Sequence, residues 1–380
     1  MPAIVTPRPG STLTIKGRAV PFSFHPVTKS TRRYGLQTRI FSTNPWAVIR
    51  QSIEDSLAAD TKKQALAFME QAQNFYESAQ NSYVVSAKPL LYYYCFLNVA
   101  KAFCLKQGVR SGYAKAMHGI QEAVHPGGQE FSDSFLKIFR ATSSSANLFD
   151  DLRKALGRPS LPSSSRVYEL KSLSPQLLQG HRVWTDAAEA DERFVEIHEI
   201  EFKIDDEAKL IWLNIKFVAD DLTRLGITQK RLLKESGLHG LFRRVRCSER
   251  HRGSPVLCFE QLESVPYTGR AADKVKSLVD LVRPFIWTTV IIFPPYRKNY
   301  VYLCPSAEVG SMMPQVLSIY AYFYYLGSVT RYRPHMFDDI FSGRYGGHIQ
   351  EIISNLPQQF LYMLASEFAN REIAHAPTVR

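Results

Sequence analysis

The stretch KPLLYYYCFLNVAKAFCLK, Lys88 to Lys106, decides how this chain must fold. Pro89 suits the first turn of a helix and Gly108 stops one, so a helix is predicted over residues 89–106. Its only polar row inside the run is Tyr94, Asn98 and Lys101; every other side is apolar. A helix that is apolar all round has to be enclosed, which places it at the centre of a bundle. The polar row then has to be paired. The expectation is a structural hydrogen-bond network in which Tyr94, Asn98 and Lys101 tie this helix to the C-terminal helices. Asn98 and Lys101 break the run as a membrane span, and Pro314, Gln315 and Gly327 break the second apolar run at 312–329. Both read as helices buried in a soluble core.

Working outward, Asn44-Pro45-Trp46 pairs an N-cap residue with a proline suited to the first helical turn. Trp46, Ile49, Ile53 and Leu57 continue at helical spacing. Asp60 can cap the next helix, whose stripe Ala65, Phe68, Ala72, Phe75, Ala79 is small enough for close approach by a neighbour. Residues 1–43 are rich in Pro, Thr, Ser and Arg and read as an extended lead-in, with short strands at 13–15 and 36–41. From Phe131 the texture changes to alternating patterns. A hairpin is predicted from 193–204 and 209–218 around Asp205-Asp206-Glu207, a second pair from 241–247 and 255–262, and further strands at 286–293 and 300–304. Helical spacing returns after Pro305, with helices expected at 310–330, 335–341, 347–355 and 357–373.

Strands segregated from helices argue an α+β fold. The division expected is a lead-in (1–43), an N-terminal helical part (44–130), a central, mainly antiparallel β-rich lobe (131–305), and a C-terminal helical part (306–380). The last packs on 44–130 to form one helical bundle.

The chain has 380 residues, 45% apolar and 22% charged, enough to fold around a core without covalent staples. Five scattered cysteines with no C-x-x-C pair argue against a disulfide framework and for a reduced compartment. No apolar run of signal-peptide length opens the sequence, so a cytoplasmic protein is expected. A formal net charge of +12 favours acidic partners: nucleic acid, anionic lipid or an acidic protein surface. Half of that excess lies between Thr228 and Arg252, where eight Lys or Arg face two acids. A solvated face is the plain reading of this run. Its alternative is a binding surface built on Arg243, Arg244, Arg246, Arg250 and Arg252.

Arg331 and Arg333 flank Tyr332 just before Pro334. They either complement a helix C-terminus or contact a phosphate or acidic partner, with His335 and Asp338 nearby. His239, Cys247, His251 and Cys258 carry metal-binding chemistry but no ligating spacing, so no metal is expected. No nucleotide or hydrolase signature occurs, and no cofactor is implied.

Four segments together resemble the YaaC-like family of bacterial proteins: Asn44-Pro45-Trp46, the run from Lys88 to Lys101, the run LGSVTRYRP from Leu326 to Pro334, and Asn370-Arg-Glu-Ile-Ala374. The resemblance implies no catalytic residues. It implies an intracellular interaction or sensor component of bacterial antiviral (anti-phage) defence, acting with a partner protein encoded nearby or on a phage component. The closing stretch Asn370 to His375 is also similar to the signature of HEPN-type ribonucleases, which makes a metal-independent nuclease using Arg371 and His375 one alternative. The plain reading of that stretch is a polar helical stripe of Glu367, Arg371 and His375. A peripheral protein on anionic membrane or nucleic acid is the other alternative.

Overall fold

The computed structural model describes residues 4–26, 39–128, 131–293 and 298–376. It is an α+β chain of two units. One is helical and built from residues 43–190 and 310–369; the other is strand-rich and built from 1–42, 191–309 and 370–380.

In the helical unit, the Asn44 side chain accepts from Ala47 N–H at 3.2 Å and opens the helix Pro45–Glu54. The helix Ala59–Asn81 begins one residue before Asp60, which sits in its first turn and not at its cap. Its alanines at 65, 72 and 79 are fully buried against the helix Lys88–Lys106. The helix Leu148–Ala155 and the C-terminal helices Gln315–Tyr332 and Gly346–Ala369 pack on its other sides. Phe96 stacks on Phe360 at 3.9 Å between ring centres and meets Phe323 edge-on, while Phe103 meets Phe368. N- and C-terminal helices therefore form one bundle around residues 88–106. Gly327 lets two helices nearly touch: a Cβ there would lie 3.3 Å from Tyr93 Cβ and 3.4 Å from Leu90 Cα.

Two expectations change here. The predicted break at Pro357 is absent, and one helix runs from Gly346 to Ala369. The buried row Ile349, Ile353, Leu356, Phe360 and Leu364 spans the proline, and its burial outweighs one lost backbone hydrogen bond, about 3 kcal/mol. The division also falls at 190/191 instead of 130/131. Strands Ile120–Val124, Ser134–Phe139 and Ser165–Glu169 form an antiparallel sheet inside the helical unit, where Phe131 packs on Tyr322 and Tyr325.

In the strand-rich unit the expected hairpin is split at His198. Residues Glu199–Asp205 pair with Leu210–Val218, whereas Phe194–Ile197 joins Lys298–Tyr302 in a separate sheet. Asp205 accepts from the N–H groups of Glu207 and Ala208 at 2.9 Å, fixing the turn. Ser254–Gln261 and Phe242–Val245 extend the main sheet. One sheet face carries Phe202, Leu213, Ile215, Phe217 and Phe259, all buried, and the helices Ala219–Arg224 and Val275–Ile286 pack on the sheet. The opposite face is polar, and Lys216 on it meets Glu199, Glu201 and Glu249 at 2.8–3.1 Å.

The lead-in belongs to this unit. Val5 bonds with Arg244 and Arg246 at one edge, and Ser11–Thr12 pairs with Glu199–Asp205 at the other. Between them Arg8 bonds Glu260 and lies over the Trp212 ring. Of the strand expected at 36–41, residues 36–38 lie outside the described residues; Arg39–Ser42 is a strand.

His348, wholly buried in the helical unit, donates from Nδ1 to the Gly180 carbonyl at 3.0 Å, and burial lowers its pKa from 6.5 to about 4. The unfolded chain takes up this proton near pH 6.5 and the native state only near pH 4, so stability must fall as pH drops through that window. Denaturant unfolding at pH 7 and 4.5 should show a loss of roughly 2–3 kcal/mol from this group. His348→Asn, which keeps an N–H donor but cannot titrate, should shrink the pH slope by that amount; an unchanged slope refutes the assignment.

Candidate functional site

The helices Lys88–Lys106 and Gln315–Tyr332 carry the two most distinctive stretches of the sequence, and Gly327 brings their ends together. At that meeting the Arg331 guanidinium donates from Nη1 to the Tyr94 hydroxyl at 2.9 Å and lies 4.2 Å from the Tyr332 ring centre. Arg331 follows a run of fifteen buried residues and is itself only half-exposed, so its charge is partly withdrawn from water. Its Nε is buried without a hydrogen-bond partner.

A histidine that no sequence signal marked completes the cluster. His118 stands just before the strand Ile120–Val124, and its carbonyl accepts from Phe149 N–H. Gly119 follows with φ +74, and a Cβ there would lie 3.0 Å from Asn147. The Tyr93 hydroxyl lies 2.5 Å from His118 Nδ1. Burial raises the Tyr93 pKa well above its ordinary value and keeps the phenol protonated. The phenol can therefore donate to Nδ1, which puts the neutral ring's own proton on Nε2. Burial first, then the charges of Arg331 and Lys101, push the His118 pKa down, so the ring is neutral at pH 7.

Arg333 is held differently. It pairs with Glu122, which also lies 3.4 Å from the Ser328 hydroxyl, and Arg333 donates to Met336 Sδ. Burial raises the Glu122 pKa against the pull of Arg333. Thus the Glu122 carboxylate is already committed. Among the described residues no carboxylate is hydrogen-bonded to Arg331 or Lys101. His335 and Asp338, expected beside the arginines, are both exposed.

The polar row on the central helix divides. Tyr94 does reach the C-terminal helix through Arg331. Asn98 instead donates to Gln71 at 2.8 Å, and Lys101 lies 5.0 Å from the Phe68 ring centre, both on the helix Ala59–Asn81. Only part of the expected network therefore points to the C-terminal helices.

The basic run of the strand-rich unit also separates. Arg243 donates to the buried Glu260 at 2.8 Å, Arg231 to Glu235 at 2.9 Å, and half-buried Arg244 to Gln229. Arg246, Arg250 and Arg252 are exposed, and Arg250 donates to the Gly253 carbonyl. His251 lies against His198, 4.4 Å between ring centres, and Cys258 is buried in the sheet. Among the described residues no group of three or more His, Cys, Asp or Glu is arranged to hold a metal ion.

Arg371 and His375 do not share a helix, which corrects the sequence expectation. The helix ends at Ala369, Asn370 takes a left-handed φ of 48°, and Glu372–His375 pairs in parallel with Arg39–Ser42. The spacing that reads as one helical stripe is overruled by backbone pairing and by the Arg39–Glu372 ion pair.

Residues 29–368 match the family model described as YaaC-like Protein. The chain belongs to the YaaC-like family. Searches of curated proteins and of solved structures return no match. The family match includes every residue of the Arg331 cluster and stops short of Arg371 and His375.

Arg331→Gln removes one of the charges that disfavour protonation of His118. In an NMR titration the His118 pKa should move up toward the ordinary histidine range while burial keeps it below that value. An unmoved titration would show that Arg331 and His118 do not share one electrostatic site.

Proposed function

We propose that this YaaC-like chain is an intracellular interaction or sensor component of bacterial antiviral defence, acting with a partner protein or on a phage component. The defence setting follows from the resemblance of its motif runs to that family. The binding role rests on one observation: the runs around Tyr94 and Arg331 converge on a half-buried guanidinium that bonds a tyrosine hydroxyl and, among the described residues, no carboxylate. Withdrawing a charge from water without an opposite charge costs free energy, and such an arrangement suits an anion arriving from outside. Arg246, Arg250 and Arg252 supply a second, exposed basic surface suited to an acidic partner protein.

The ribonuclease alternative loses its geometric support, since proton transfer and charge stabilisation at one phosphate need Arg371 and His375 on a shared face at close range. Attachment to anionic membrane draws only on the same exposed arginines. Among the described residues no helix is long and apolar enough to cross a membrane.

The test is phage plaquing on cells carrying this chain with its neighbouring genes, paired with capture of the co-encoded protein. Arg331→Ala should abolish protection. Charge reversal at Arg246, Arg250 and Arg252 should abolish capture, and Arg371→Ala with His375→Ala should leave both intact. Full protection in the Arg331 variant would defeat the proposal.

A further inference from the structure

We infer that the Arg331 cluster takes a nucleoside monophosphate, with its phosphate on Arg331, Tyr94 and His118 and its base on the ring of Tyr332. This deepens the reading of the cluster as a ligand site and rests on it. The groups facing one another here are donors. Among the described residues Arg331 retains a buried Nε without a partner, and His118 in its Nε2–H form offers a neutral donor. The Tyr94 hydroxyl accepts from Arg331 and is left with its own proton to give. Donors drawn from two helices and the approach to a strand, around one fixed positive charge, suit a phosphate, whose three oxygens can take them all, better than a carboxylate with two.

The second half of the site is aromatic. Tyr332 is 65% exposed although it ends a helix that is otherwise buried, and the Arg331 guanidinium lies over its ring. An exposed ring next to a phosphate-binding cation is a stacking platform for a nucleobase, and the guanidinium fixes the ring's orientation. Thr330 donates to the Ser86 carbonyl and the Leu326 carbonyl at 3.0 Å, holding the helix end that presents both groups.

Calorimetric titration of the full chain with AMP, UMP, ribose 5-phosphate, inorganic phosphate and adenosine tests this. AMP and UMP should saturate the protein and bind at least about fivefold more tightly than ribose 5-phosphate, the least that stacking of one base contributes. Adenosine should bind at least tenfold more weakly than AMP. Arg331→Ala should weaken every phosphate-bearing probe about tenfold or more, as expected for loss of a charge-assisted contact. Tyr332→Ala, an exposed position whose change spares the core, should bring AMP down to the level of ribose 5-phosphate, and Tyr332→Phe should restore the difference. Absence of saturable AMP binding at millimolar concentration overturns the inference. So does adenosine binding as well as AMP, or a Tyr332→Ala protein that binds AMP unchanged. AMP binding as described, with phage protection unaffected by Arg331→Ala, would leave this assignment standing and remove the defence role. Lost protection in a protein that binds no nucleotide would do the reverse.

Discussion

The helix from Lys88 to Lys106 is apolar on every side but one narrow polar row, and the main helices of its unit are placed by the need to cover it. Phe96 touches both Phe323 and Phe360, and Phe103 touches Phe368, so a segment from the first third of the chain is enclosed by the last sixth. The alanine row of Ala59–Asn81 seals one side closely enough that little volume is wasted. Because the enclosure is made by C-terminal helices, the arginines that end one of them are delivered to the tyrosines that begin the central helix. Packing of the helices thus creates the core of the candidate site, and the segment before Ile120–Val124 adds His118 to it.

Two polar clusters of the helical unit illustrate the difference between a structural and a receptive arrangement. Asp150 is fully buried, yet it accepts from Ala141 N–H, Leu161 N–H and the Ser160 hydroxyl. Its neighbour Asp151 takes a two-pronged contact from Arg110. Both carboxylates are saturated from within, which makes them a clamp for the surrounding loops. Arg331 is the opposite case. Its guanidinium has a neutral oxygen and an aromatic face for company, while the nearby acid is taken by Arg333.

The bundle was legible in the sequence because all-round apolarity at 89–105 leaves a single physical solution. The cap at Asn44 was legible for an equally local reason. Other features were decided by partners distant in the chain. The strands between 120 and 169 read as part of the β-rich lobe because alternation reports a strand and not the layer on which it packs. Residues 367–375 keep helical spacing, but a left-handed Asn370 and a strand partner at 39–42 set their conformation. His118 carried no signal at all. A lone histidine in a loop acquires meaning only when Tyr93 and Arg331 are brought beside it.

The enclosure of the central helix has a consequence during synthesis. Residues 88–106 leave the ribosome roughly 200 residues before the helix that begins at Gln315, an interval of about 10–40 s at ordinary elongation rates. Until then only Ala59–Asn81 and, later, Leu148–Ala155 are there to shelter part of the chain's greasiest segment. The strand-rich unit waits longer still, because the partner of Arg39–Ser42 is made after the helix Gly346–Ala369. Such an order of assembly leaves apolar surface uncovered during synthesis, the condition under which large chains become prone to aggregate.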